Sequence, residues 1–190
     1  MFLLQKDIRA VDAVISQHGR TEIDNEFLAL LVQAEDRRFW RHNGVDWRSV
    51  ARAAVGWATC KSQSGASTIE MQLVRTVTGK YEISITRKLR EMIISMGLRR
   101  KWCKASIIAT YACVGYFGEE VRGAEDAALA LHKRRLDECS RLRKALVAAT
   151  LRRPIPGRRS REWCREVLRR ARYILRHQVE APTLAKCRQS

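Results

Sequence analysis

The stretch QAEDRRFWRHNGVD, residues 33–46, carries the features from which the rest of the chain is best interpreted. It overlaps a run whose apolar residues recur at helical spacing: Phe27, Leu30, Leu31 and Ala34. The spacing predicts a helix that delivers two adjacent carboxylates, Glu35 and Asp36, at its C-terminal end. Acids there oppose the helix dipole, and apolar surroundings raise their pKa, which suits general acid or base catalysis near neutral pH. The alternative is that both acids form ordinary ion pairs with nearby arginines: Arg37, Arg38 and Arg41.

Length and charge set further limits. A chain of 190 residues suits one domain with a real core, and its formal net charge is +17. The charge is uneven, because residues 131–190 hold 18 basic against 5 acidic side chains. Such a surface attracts nucleic acid, anionic lipid or a phosphorylated substrate. The sequence has no helix-turn-helix or stacking-aromatic signature, so we do not expect a nucleic-acid partner.

The sequence gives little sign of a membrane anchor or of a metal site built from cysteines. The only apolar N-terminal run, residues 1–4, is far shorter than the roughly 20 residues of a membrane-spanning helix, so no anchor is expected within this chain. Six cysteines are scattered without a Cys-x-x-Cys pair or a Cys/His cluster at metal spacing. Buried thiols are therefore favoured over a zinc site, while disulfides stay open.

Several helices can be placed from their boundaries. Asp46 precedes apolar residues at helical spacing, which predicts a helix over 47–57 with Asp46 as its N-cap rather than as a catalytic acid. Residues 59–67 are small and polar, as in a mobile loop. Ser67 and Glu70 have the spacing of a capping box, so the next helix is expected to begin there.

The second half of the chain is also helical by its periodicity. A helix is predicted over 82–100 with a buried stripe formed by Ile85, Leu89, Met92, Ile93 and Met96. A last, basic helix is predicted over 158–179, packed through Trp163, Val167, Leu168, Tyr173 and Ile174. It is either a solvated surface helix or a membrane-docking one. No strand is convincing, so we predict an all-α fold, with one domain over 1–157 and a basic helix and tail over 158–190 packed on or next to it.

The pattern Glu-Asp-x-x-Phe-x-x-His-x-Gly-x-Asp at 35–46 resembles the first motif of glycosyltransferase family 51, the peptidoglycan glycosyltransferases of class A penicillin-binding proteins and monofunctional transglycosylases. Residues 65–76, GASTIEMQLVRT, are similar to the second motif, with Ala66, Arg75 and Thr76 in place of Gly, Lys and Asn. Arg87-Lys88-x-x-Glu91 resembles the third motif, although its trailing acid is Arg99 here.

Two later motifs are eroded. Residues 104–118 are similar to the fourth motif, but its Glu is Ala109 and its Asn is Cys113. Residues 140–156 are similar to the fifth, whose usual acid is Arg143. Because these residues brace the fold and the site in the family, their loss puts activity in question.

The resemblance implies a lysozyme-like, two-lobed helical domain with a smaller lobe that faces the membrane. It implies polymerisation of lipid II into glycan strands, with inversion and release of undecaprenyl pyrophosphate, at the periplasmic face of a bacterial inner membrane. Lipid II, the growing glycan, the membrane surface and divisome or elongasome proteins are the implied partners. No cofactor is required by the sequence, although Mg²⁺ or Mn²⁺ at Glu91 is an option.

The resemblance also assigns residues to roles. Glu35 matches the general base, and Glu91 matches a second glutamate that assists the leaving group. Residues that match substrate-binding positions, including three cations suited to phosphates, are Asp36, Phe39, His42, Thr68, Gln72, Arg75, Arg87 and Lys88.

Two other functions stay open. The eroded motifs favour a degenerate domain that binds lipid II or a partner without turnover. A lytic transglycosylase-like muramidase shares the helical fold and a glutamate acid, but lacks the second and third motifs.

Overall fold

The computed structural model describes residues 2–59 and 65–177. Within those ranges a short antiparallel hairpin pairs β1 (Tyr116–Gly118) with β2 (Val121–Arg122). The other elements are α-helices and one 3₁₀ turn, Phe39–Arg41. The helices are α1 (Phe2–His18), α2 (Asn25–Glu35), α3 (Trp47–Ala58), α4 (Ile69–Thr78), α5 (Ile85–Lys101), α6 (Lys104–Val114), α7 (Ala124–His132), α8 (Arg141–Thr150) and α9 (Arg161–Arg176).

The all-α prediction is confirmed, because helices make up most of the described residues. The expectation that no strand forms is wrong in one place, since β1 and β2 connect α6 to α7. Gly118 at the end of β1 allows the segment after α8 to pass close by, since a Cβ there would lie 2.5 Å from the Ile155 carbonyl oxygen. None of the described helices has both the length and the apolar character needed to cross a membrane.

The main core forms where α2 packs against α8, and α4 packs against α1, α5 and α6. Most of α2 is buried, including Phe27 and Leu31, so the helix that carries Glu35 is held on several sides. A second, small core of Val45, Met71 and Met92 lies between the loop before α3 and helices α4 and α5. Because both cores include residues of α4, this helix joins them.

The helix caps confirm one prediction and correct another. Asp24 caps α2, since its Oδ1 accepts a hydrogen bond from Phe27 N at 2.7 Å. The capping box at Ser67 is wrong: the N-cap of α4 is Thr68, whose Oγ1 accepts from Met71 N at 3.3 Å. Glu70 instead turns inward and is fully buried.

The predicted buried stripe of α5 is wrong at three of its five residues, whereas Met92 is buried as predicted and Met96 is half-buried. Ile85, Leu89 and Ile93 are exposed, Ile85 by 78%, and the buried face carries Glu91, Met92, Ile94, Ser95 and Leu98. The helix begins at residue 85 rather than 82, with Ser84 as its N-cap. Periodicity alone could not distinguish the two faces, because both carry apolar residues.

Helix α9 packs against α8 and α2. Val167 and Ile174 are buried as predicted, and Trp163 packs partly buried on the core, whereas Tyr173 is exposed. The predicted division of the chain at residue 157 stays a prediction. The predicted loop over 59–67 and the basic tail fall partly on residues 60–64 and 178–190, which lie outside the described residues.

Gly44 is a backbone requirement of the loop between the 3₁₀ turn and α3. Its φ is +91°, and a Cβ there would lie 2.4 Å from the Ser95 carbonyl oxygen of α5.

We expect Gly44→Ala to lower the free energy of unfolding by about 1–3 kcal/mol, measured by urea denaturation. Gly97→Ala is the matched control: it lies within α5 with no atom near the added Cβ, so it should stabilise by about 0.5–1 kcal/mol. Equal effects of the two changes would contradict the strain at Gly44.

Candidate active site

A cavity of about 410 Å³ opens where α2 ends and α4 begins, with α9 passing beside it. Its lining includes Glu35, Asp36, Ser67, Thr68 and Arg170. Three of these five residues, Glu35, Asp36 and Thr68, are predicted from two separate motifs, and the fold brings them into one cavity.

Glu35 is the last residue of α2 and is held by two other helices. Its Oε2 accepts a hydrogen bond from Gln72 Nε2 at 3.3 Å, and Arg170 Nη2 lies 3.8 Å from its Oε1. Oε1 has no hydrogen-bond donor among the described residues. Burial raises the pKa of this carboxyl group, while Arg170 and Gln72 act in the opposite direction. The predicted raised pKa is therefore confirmed, with burial as its main cause.

Asp36 occupies a different environment although it is the next residue. His42 Nε2 donates to its Oδ2 at 2.9 Å, and Ile69 N donates to the same oxygen at 3.3 Å. Ile69 is the first residue of α4, so this carboxylate lies at a helix N-terminus, where the dipole favours an anion. The alternative of simple ion pairs with Arg37, Arg38 and Arg41 is not what the fold forms.

A buried ion pair lies behind Asp36. Lys104 Nζ donates to Glu70 Oε1 and to His42 Nδ1, the latter at 3.5 Å, and lies 4.1 Å from the centre of the Phe39 ring. Together with the bond to Asp36, the contact at Nδ1 fixes the Nε2–H tautomer of His42. His42 and Phe39 are buried here, His42 also lines a second cleft, and their substrate-binding role stays a prediction.

Helix α4 presents one row of polar side chains towards both glutamates. Thr68 Oγ1 donates to the Gly44 carbonyl oxygen at 2.7 Å, while Gln72 bonds Glu35 and accepts from Tyr111 Oη at 2.7 Å. Arg75, one turn further, binds Glu91 through two hydrogen bonds of 2.9 and 3.0 Å. The predicted shared face of Thr68, Gln72 and Arg75 therefore exists and connects the two acids.

Glu91 lies in a cluster of cations and does not line the cavity with Glu35. Arg87 donates to the same carboxylate as Arg75, whereas Lys88 Nζ donates to Ser67 Oγ at 2.7 Å. Arg75 also approaches Ser67 Oγ, at 3.4 Å. Because Ser67 lines the cavity, Arg75 and Lys88 reach its wall while Glu91 holds two of the cations from behind.

The residues present do not fit a divalent cation. Both oxygens of Glu91 face guanidinium groups, which occupy the positions a metal ion would need. Asp36, His42 and Glu70 bring one ligand atom each within 4.8 Å of one another, but the Lys104 ammonium already binds there. The predicted Mg²⁺ or Mn²⁺ therefore receives no support from this arrangement, and we assign no step to it.

Sequence reasoning missed three contributors to the site. Arg170 comes from the basic helix that appeared peripheral, and no local pattern distinguishes it from its neighbours. Tyr111 lies within the fourth motif, so the motif could have indicated that this residue belongs to the site. The Glu70–Lys104 pair joins residues 34 positions apart, which a single sequence cannot reveal.

The eroded positions lie away from this cavity. Ala109 is buried, Cys113 is half-buried and Arg143 is exposed, and none of them lines the cavity with Glu35.

The fold and the cavity define a helical domain in which a buried carboxyl group, Glu35, lies 3.8 Å from Arg170, while Asp36 binds the N-terminus of α4. The family described as Transglycosylase matches residues 13–179. The chain therefore belongs to the transglycosylase family, glycosyltransferase family 51, as the resemblance indicated.

Individual relatives agree with this assignment. A Cupriavidus necator protein named "Putative transglycosylase" is 32% identical over 171 residues, 87% of this chain and 71% of that protein. Penicillin-binding protein 4 of Bacillus subtilis is 31% identical over 134 residues, 67% of this chain and 22% of its own. Penicillin-binding protein 1A of Neisseria gonorrhoeae is 39% identical over 99 residues, 52% of this chain and 12% of its own. The chain thus spans only a small part of these penicillin-binding proteins.

The buried Glu70–Lys104 pair gives a stability prediction. Lys104→Met leaves Glu70 buried and without its cation, so we expect a loss of about 3–5 kcal/mol in the free energy of unfolding. Glu70→Gln combined with Lys104→Met should recover part of that loss, since no buried charge then remains unpaired.

Urea denaturation measures both changes. Lys101→Met, which breaks an exposed pair with Asp12, serves as the control and should cost under about 1 kcal/mol. A similarly small loss for Lys104→Met would show that the buried pair does not support the site.

Proposed function

We propose that this protein is a peptidoglycan glycosyltransferase that polymerises lipid II into glycan strands. The observation that supports this most is Glu35: a buried carboxyl group of raised pKa that lines a cavity and has one oxygen without a hydrogen-bond donor among the described residues. In this proposal the Glu35 carboxylate accepts the proton of an incoming sugar hydroxyl that enters the cavity. A carboxylate with a raised pKa is a stronger base than an exposed one, which suits proton abstraction near neutral pH.

In the proposed reaction, Glu35 removes the proton from the 4-hydroxyl of an incoming lipid II. The hydroxyl oxygen forms a bond to the anomeric carbon of the growing chain from the face opposite the diphosphate. The bond from that carbon to the diphosphate oxygen breaks, so the configuration inverts and undecaprenyl pyrophosphate leaves with the electron pair. Glu35 then returns its proton to solvent.

The leaving diphosphate needs positive charge, and α4 and α5 supply it. Arg75, Arg87 and Lys88 cluster next to Ser67, whose side chain lines the cavity. Burial lowers the pKa of Lys88, because it penalises the charged ammonium. In this proposal Glu91 holds the guanidinium groups of Arg75 and Arg87 in place, and the cations bind the diphosphate oxygens.

A lipid-linked substrate lies in a membrane, so an enzyme that uses it has to dock on the membrane surface. Ile85, Leu89 and Ile93 repeat every fourth residue along the exposed face of α5, and Ile83 and Tyr81 before the helix are exposed as well. This stripe supports a smaller lobe that faces the lipid surface, consistent with work at the periplasmic face of the inner membrane. We propose divisome or elongasome proteins as partners from the resemblance alone.

A buried glutamate of raised pKa would also serve as the general acid of a muramidase. The two reactions differ in their products. Polymerisation converts lipid II into long strands, whereas a muramidase releases fragments from purified cell wall. A non-catalytic domain would bind lipid II and form neither product.

The first test is Glu35→Gln with labelled lipid II, resolved by gel. We expect the rate of strand synthesis to fall by about 10²–10⁴-fold, because the amide cannot accept the proton. Binding of lipid II should persist, since the amide retains the shape of the carboxyl group. Glu119→Gln, a carboxyl change outside the cavity, serves as the control. Normal polymerisation by the Glu35 variant would show that another group is the base.

The pH profile gives a second test. The positive charge of Arg170 lowers the pKa of Glu35 against the larger effect of burial. Arg170→Met removes that charge, so the pKa of Glu35 should rise further and more of the carboxyl group should be protonated at a given pH. The acid limb of kcat/KM against pH should therefore move to higher pH.

Arg169→Met is the matched control, because Arg169 is the neighbouring arginine but is largely exposed. Its profile should match that of the unchanged protein. An unchanged acid limb in the Arg170 variant, or a shift to lower pH, would show that Glu35 does not control this limb.

A further inference from the structure

A second cleft, of about 610 Å³, adjoins the cavity of Glu35, and the two share Arg38 and Asp46 in their linings. We call it the arginine cleft, because five of its lining residues are arginines: Arg38, Arg41, Arg48, Arg99 and Arg100. They come from three places in the chain, namely the 3₁₀ turn region, the first turn of α3 and the last turn of α5.

Most of this charge has no acidic partner. Arg38 lies 3.1 Å from Asp46, whereas within residues 2–59 and 65–177 no carboxylate lies within ion-pair distance of the other four arginines. Arg99 stands where the third motif of the family has an acid, so the cleft is more basic here than that pattern predicts. A cleft lined by one sign of charge concentrates its field and attracts the opposite charge.

The dipole of α5 favours two of the five arginines that line the cleft. Arg99 and Arg100 lie in the last turn of α5, where the helix dipole favours cations. Arg48 lies in the first turn of α3, where the dipole disfavours a cation, and the Asp46 carboxylate, which accepts from Arg48 N at 3.2 Å, offsets part of that cost. Five arginines against one carboxylate, Asp46, leave the cleft with an excess of positive charge that a bound anion would neutralise.

We propose that the arginine cleft binds the carboxylates of the peptide stems on the glycan strand that Glu35 extends. The inference rests on the proposed function. It commits to this occupant because the cleft continues from the cavity of Glu35 through Arg38 and Asp46, so that one strand would cross both. Guanidinium groups bind carboxylates in bidentate geometry.

A second feature of the cleft also fits a glycan. Trp47 lies in its lining with 59% of its surface exposed, and its flat ring offers the face of a sugar an apolar platform. An exposed aromatic side chain beside guanidinium groups can therefore bind both parts of a sugar that carries an acidic peptide. The cleft would hold the strand away from the reacting sugars, and such remote binding energy helps to position them.

The test is direct binding and needs no turnover. The probe is a soluble, uncrosslinked glycan strand with a fluorescent end, prepared with its peptide stems and again after an amidase has removed them. The cleft variant is Arg41→Gln/Arg48→Gln/Arg100→Gln, three exposed positions. The control is Arg134→Gln/Arg158→Gln/Arg165→Gln, also exposed, with the same change in net charge.

We expect fluorescence anisotropy at physiological salt to show that the cleft variant binds the stem-bearing strand about 10- to 100-fold more weakly. The control variant should bind it as the unchanged protein does, and both variants should bind the stem-free strand alike. The unchanged protein should prefer the stem-bearing strand.

Three outcomes would overturn the proposal. They are equal binding of the two strands by the unchanged protein, an equal loss in the control variant, and a cleft variant that binds strands normally but loses binding to phosphatidylglycerol vesicles. The last result would assign the cleft to lipid headgroups. Stem-dependent binding without any polymerisation of lipid II would instead contradict the proposed function and leave the cleft in place.

Discussion

The site depends on how Asp36 joins two helix ends. Asp36 follows the last residue of α2, and its carboxylate accepts hydrogen bonds from Ile69 N at the start of α4 and from His42. The interaction is favourable because a helix N-terminus attracts an anion. This contact fixes the end of α2 against the beginning of α4. It therefore places Glu35 opposite the side chains of α4.

The same arrangement places Glu35 and Asp36, although they are adjacent in sequence, in different environments. Asp36 is surrounded by donors, whereas Glu35 has one weak donor, Gln72, and a more distant cation, Arg170. Burial with few donors is what raises the pKa of Glu35. Helix α4 connects Glu35 with Glu91. Its residues Gln72 and Arg75 lie one turn apart and bind Glu35 and Glu91 respectively. One rigid helix thereby sets the relation between the proposed base and the proposed cation cluster.

The sequence predicts the helices and places Glu35, Asp36 and Thr68 at one site, because helical periodicity and fixed motif spacings are local properties. It fails where an outcome depends on which neighbour a side chain meets. Ile85 and Leu89 have the spacing of a buried stripe, but nothing packs on them in the described structure. Glu70 has the spacing of a cap but pairs with Lys104 from α6, and Arg170 reaches Glu35 from a helix that local reasoning placed at the surface.

The departures from the fourth motif can be judged by what its surviving residues contact. Lys104 and Tyr111 are the two members of α6 that reach the site, through Glu70 and Gln72. Ala109 and Cys113, the substituted positions, contribute no lining residue to the cavity. A degenerate domain would be expected to lose contacts at random, including those to the proposed base. The contacts of Gln72 and Arg170 with Glu35 are instead present, as are those of His42 and Ile69 with Asp36, and this retention favours the proposed glycosyltransferase over a binding domain alone.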